Sequence, residues 1–140
     1  MSVGRSRPGR SQSLSVKGRI LVVDDDAAVR VMLADYLSAQ GYAVVMAADG
    51  PAAFASVRAE RPDLVLLDIG PPGINGLEVL RQIRLYDQRI GVIMITGNQD
   101  LALARSTREL GALDYMFKPL ELDRFDRAIT ATMGMLKLFE

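Results

Sequence analysis

Three consecutive aspartates, Asp24, Asp25 and Asp26, follow directly on the apolar run Ile20-Leu21-Val22-Val23. Asp68 closes the run Leu64-Val65-Leu66-Leu67 in the same way, and Thr96 closes Val92-Ile93-Met94-Ile95. Lys118 closes Tyr115-Met116-Phe117 and precedes Pro119. If these runs are neighbouring parallel strands, carboxylates, a hydroxyl and an ammonium converge on one sheet edge. In open α/β sheets ligands bind at that edge, outside the carboxyl ends of the strands. Carboxylates crowded there repel by roughly 3–4 kcal/mol per pair at an effective dielectric near 20, so a cation sits between them or some are protonated. With neither histidine nor cysteine in the chain, the fitting occupant is a hard, oxygen-preferring ion such as Mg²⁺. Lys118, a compact point charge, favours the ionised form of whichever carboxylate it approaches. Together these groups could bind and neutralise phosphate. Taken singly, Asp25 or Asp26 reads equally well as a helix N-cap or solvated turn acid.

The intervening segments must bring those endings together. Strand-like stretches at about 19–23, 43–47, 64–67, 90–95 and 114–117 alternate with helix-like ones at about 27–40, 51–61, 76–86, 100–110 and 121–137. In the first helix Val29, Leu33, Tyr36 and Leu37 recur at helical spacing, and Gly41 follows where a C′ glycine belongs. In the third helix Leu77, Leu80 and Ile83 share a side. In the last, Leu122, Phe125, Ile129 and Met133 face the core. Asp49-Gly50 turns into a helix at Pro51, a favoured first-turn residue, and Arg61-Pro62 ends it. Unbroken apolar runs imply strands covered on both faces. The expected class is α/β: a five-stranded, parallel, doubly wound sheet with right-handed crossovers. Its order, 2-1-3-4-5, is taken from flavodoxin-like folds that share the alternation.

Bulk properties narrow the field. The chain of 140 residues balances 17 lysines and arginines against 17 aspartates and glutamates. Residues 1–18 look like a flexible basic tail, and 19–140 like one domain. Arg5, Arg7, Arg10, Lys17 and Arg19 stand at this end with no acid among them. Removing those five bases leaves 12 basic and 17 acidic residues over 20–140, a net of −5. Direct nucleic-acid binding by such a domain is not expected. Disulfides, thiolate sites, histidine-ligated zinc and histidine bases are excluded by composition. No apolar run reaches the roughly 18–20 residues of a bilayer span, and no secretory signal is legible. The expected location is the cytoplasm, without membrane association.

Four motifs in order then carry a resemblance. They are Ile20-Leu-Val-Val-Asp-Asp-Asp26, Asp63-Leu-Val-Leu-Leu-Asp68 with Pro72-Gly-Ile-Asn-Gly76, Thr96-Gly97, and Asp114-Tyr-Met-Phe-Lys118-Pro119. Over about residues 19–137 the chain resembles the receiver domain of two-component response regulators. The resemblance implies that Asp68 is the phosphoacceptor, taking a phosphoryl group from a sensor histidine kinase or a histidine phosphotransfer protein. It implies that Asp24, Asp25, Asp68 and the backbone carbonyl of Gly70 hold Mg²⁺, and it leaves Asp26 outside the site. Thr96 becomes a switch hydroxyl, Tyr115 the ring that turns inward with it, and Lys118 the cation paired with the phosphoryl group. Gly97 leaves room for a donor, and the peptide before Pro119 is expected to be cis. Such a domain catalyses only its own phosphorylation and dephosphorylation. Its face of fourth helix, fifth strand and fifth helix would engage an output domain or target protein, with pairing of two copies also open. One departure is Gly70-Pro71, where the family usually has larger side chains; easier water access there implies a phosphorylated state that is not unusually long-lived.

Two other phosphate chemistries share parts of this pattern. Asp24-Asp25-Asp26 contains the D-x-D of haloacid-dehalogenase-type phosphatases, but that reading gives Asp68 no role and finds no later acidic pair. A flavin-binding protein would share the fold, yet acids stand where a hydroxyl-rich phosphate loop is needed, and there is no tryptophan.

Overall fold

A computed structural model describes residues 17–68, 75–97 and 101–138. Among the described residues five strands alternate with five helices. In chain order they are β1 (Arg19–Val23), α1 (Ala27–Ala39), β2 (Ala43–Ala47), α2 (Gly50–Glu60), β3 (Leu64–Asp68), α3 (Gly76–Tyr86), β4 (Gly91–Thr96), α4 (Leu101–Glu109), β5 (Asp114–Phe117) and α5 (Leu122–Lys137). All pairings are parallel and the order is β2-β1-β3-β4-β5, as expected from the sequence.

The apolar runs are unbroken because the three central strands are buried on both sides, and the pleat divides their side chains between two cores. Leu21, Val23, Val65, Leu67, Val92 and Met94 pack with Ala53 and Val57 of α2 and with Val79, Leu80 and Ile83 of α3. Ile20, Val22, Leu64, Leu66, Ile93 and Ile95 pack on the other side, with Leu33 and Leu37 of α1 and Phe125, Ile129 and Met133 of α5. Each fully buried Leu or Ile stabilises the fold by about 1.5–3 kcal/mol.

Helix ends follow their local chemistry. Asp26, Asp49 and Asn75 cap α1, α2 and α3, accepting from Ala28 N, Ala52 N and Glu78 N. Gly41 and Gly111 reverse the chain after α1 and α4 with φ of 102° and 105°, a region open to glycine. Arg61 does the same after α2 at φ 49°, since the following proline disfavours further right-handed helix.

One core expectation needs correcting. Leu122 is 54% exposed, because it is the first residue of α5 and the stripe in contact with the sheet begins at Phe125. Val29 and Tyr36 of α1 are only partly buried against their core. Of the basic tail expected over 1–18, residues 1–16 lie outside the described residues. Among the described residues no helix is long and apolar enough to cross a membrane.

Candidate phosphoacceptor site

Register brings the polar endings together. Val23 pairs with Leu67, so Asp24 and Asp68, one residue further on, face each other across the β1–β3 seam. Asp68 pairs with Ile95, which sets Thr96 one step beyond. Thr96 in turn pairs with Phe117, whose neighbour is Lys118. Asp24, Asp25 and Asp68 each offer a carboxylate oxygen within 4.8 Å of the others. Lys118 Nζ reaches in from β5, 2.9 Å from Asp24 Oδ2 and 3.3 Å from Asp68 Oδ2.

The three acids sit in different environments. Asp24 is 3% exposed, and its backbone amide donates to Ala47 O at 3.2 Å. One of its carboxylate oxygens accepts from Asp26 N at 2.9 Å and the other from Lys118. Its backbone carbonyl accepts from Arg30 Nη1 at 2.8 Å. Asp25 is exposed, and Asp68 lies between these extremes. Burial pushes the Asp68 carboxyl above its ordinary value, and Asp24 adds to the shift; Lys118 opposes it without cancelling it. Burial pulls Lys118 down, but its hydrogen bond to Asp24 and the charges of Asp68 and Asp24 prevail, leaving it above the ordinary lysine value.

Three carboxylates and one ammonium leave a formal charge of −2 in a part-buried pocket with only oxygen donors. Such a donor set suits a hard divalent cation that keeps some of its waters. Asp26 caps α1, its side chain accepting from Ala28 N.

The receiver-domain sequence profile of response regulators matches residues 20–130. This chain belongs to the response regulator receiver family. It is 39% identical over 111 residues to sporulation initiation phosphotransferase F of Bacillus subtilis, covering 79% of this chain and 90% of that one. With the DNA-binding response regulator MtrA of Mycobacterium tuberculosis it shares 41% identity over 107 residues, 76% of this chain but 46% of that protein. It therefore spans about half the length of MtrA. A CheY-like receiver domain protein from Methanospirillum hungatei superposes with a TM-score of 0.82 at 29% identity, covering 87% of this chain and 98% of that one.

Within this receiver domain the remaining expected residues divide. Thr96 is fully buried, and its carbonyl accepts from Lys118 N at 2.8 Å, which ties the ends of β4 and β5. Tyr115 is buried at 9% exposure, with its ring edge-on to Phe117 at 5.4 Å. Gly97 is exposed, and a Cβ built there would meet nothing within 4 Å among the described residues. The Lys118–Pro119 peptide is cis. The Gly70 carbonyl and the Gly70-Pro71 departure lie outside the described residues. Arg30 was passed over in the sequence. Its signal was a cation six residues after Asp24, one turn past the Asp26 cap and thus directed back at the strand end.

Proposed function

We propose that Asp68 accepts a phosphoryl group from a phosphohistidine on a sensor kinase or phosphotransfer protein. The observation that supports this most is the Lys118 ammonium held between the carboxylates of Asp24 and Asp68. An Asp68 oxygen attacks phosphorus as the P–N bond of the donor breaks, and the bonding pair stays on the imidazole nitrogen. Such a transfer needs positioning and charge neutralisation more than covalent machinery. Lys118, already within 3.3 Å of Asp68, is placed to neutralise the transferred oxygens. Asp24, Asp25 and Asp68, with the Gly70 carbonyl, would hold Mg²⁺, which when bound supplies the remaining positive charge. Gly97, with no side chain and no close neighbour among the described residues, would leave the donor an approach. On this reading the domain catalyses only its own phosphorylation and dephosphorylation.

The product adds negative charge and strong acceptor oxygens at the β3 end. Thr96 donates to one of them, and the ring of Tyr115 repacks with it. The face formed by α4, β5 and α5, which carries exposed Phe117 and Leu122, then presents a different outline to an output domain, a target protein or a second copy. Phosphate drives this only by binding one arrangement better than the other.

The test is intact mass after incubation with a small phosphodonor and Mg²⁺. The unaltered chain gains one phosphoryl group, while Asp68→Ala gains none, and chelation of the metal abolishes the gain. A phosphoryl group retained by Asp68→Ala, or carried on Asp24, would refute the assignment.

A further inference from the structure

We propose that Arg30 is a positioning residue of this site: by holding the Asp24 carbonyl it fixes the turn that presents Asp25 to a divalent cation. The inference rests on the reading of the acidic pocket given above. Arg30 lies in the first turns of α1, where its amide donates to Asp26 O at 3.0 Å. Its guanidinium folds back across six residues to donate to Asp24 O at 2.8 Å, in a partly buried position. With that bond every polar group of Asp24 is engaged: the amide by Ala47, the carboxylate by Asp26 N and Lys118, and the carbonyl by Arg30.

Asp25 is different. It is exposed, and among the described residues its carboxylate makes no hydrogen bond or ion pair. Among the described residues its direction is therefore set by the backbone of the turn. That backbone is pinned before it by Asp24 and after it by the Asp26 cap on Ala28 N. Arg30 ties the Asp24 carbonyl to the helix, beside the bond that the Asp24 carboxylate accepts from Asp26 N. A shift of about 1 Å is enough to spoil a coordination site.

Charge and geometry pull in opposite directions here, which makes the inference decidable. As a mere positive charge, Arg30 repels an incoming dication, and its removal would tighten cation binding. As a positioning residue it acts like the outer partners of metal ligands, whose loss weakens affinity by about tenfold or more. The experiment uses the full chain and Mn²⁺, an ion that also prefers oxygen ligands, followed through the EPR signal of the free ion.

For Arg30→Met the dissociation constant for Mn²⁺ rises about tenfold. Arg30→Lys keeps a donor on a stem that reaches the carbonyl, and it recovers most of the loss. The cation-free melting temperature moves little, while the amide resonances of Asp25 and Asp26 shift. If Arg30→Met fails to fold, Arg30→Gln, too short to reach the carbonyl, carries the same expectation. Affinity that is unchanged or tighter in these variants overturns the role of Arg30 and leaves the pocket intact. Absence of Mn²⁺ binding by the unaltered chain, or undiminished binding by Asp68→Ala, overturns the pocket and the inference together.

Discussion

β3 carries one aspartate at its carboxyl end and follows directly on another, and the two lead opposite lives. Asp63 stands just before the strand and accepts the amide of Arg19 at 2.8 Å, while its own backbone bonds to Arg19 O and Gly91 N. Asp68, at the far end, faces two more carboxylates with one shared lysine. One acid completes the hydrogen bonding of a strand start; the other is held where its charge is poorly compensated. Residue type is the same at both ends, so the difference lies in the neighbours. Poor compensation of this kind makes the β3 end the one that a hard divalent cation would suit.

Cation binding should separate the two ends most strongly. Mg²⁺ at a hundredfold excess over its dissociation constant is expected to stabilise the unaltered chain by about 2.7 kcal/mol. The gain should persist in Asp63→Ala and vanish in Asp68→Ala. Thermal melts across a Mg²⁺ series read this directly, and equal stabilisation of both variants would erase the contrast.

Without cation, the two truncations should differ in sign. Asp63→Ala leaves the half-buried amide of Arg19 at the start of β1 without its carboxylate partner and is expected to lower stability by about 1 kcal/mol in denaturant titrations. Asp68→Asn removes a crowded charge and is expected to raise stability by about 1 kcal/mol at neutral pH. Its pH dependence follows from the raised Asp68 carboxyl. The folded state holds the proton more tightly than the unfolded chain. The unaltered protein therefore loses stability as pH rises from the ordinary carboxylate value through the raised folded one. The advantage of Asp68→Asn is absent in acid, grows across that window and is complete above it. A variant less stable than the parent at neutral pH would contradict the account.

Sequence legibility follows the same division. Strand endings were readable because a buried parallel strand shows as an unbroken apolar run, and the first polar residue after it marks the sheet edge. That placed Asp24, Asp68, Thr96 and Lys118 without coordinates. The fate of Asp26 needed more, since an N-cap and a metal ligand look alike until Ala28 N is seen bonded to it. Leu122 misled because helical spacing does not say where a helix meets the sheet. Arg30 left only its spacing as a signal, for another reason: its partner is a backbone carbonyl, and carbonyls have no residue type.

The pairing of β5 has one more consequence. The acids hang from β1 and β3, each hydrogen-bonded on both sides, whereas Tyr115 and Phe117 belong to a four-residue strand with β4 as its single neighbour. Displacing that border strand breaks one ladder, with β4, and leaves the β1–β3 and β3–β4 pairings in place. Reshaping the aromatic rim by mutation is therefore a cheap edit for a lineage as long as Lys118, next after Phe117, keeps its reach to Asp24 and Asp68, while an edit to the ends of β1 or β3 moves the acids themselves.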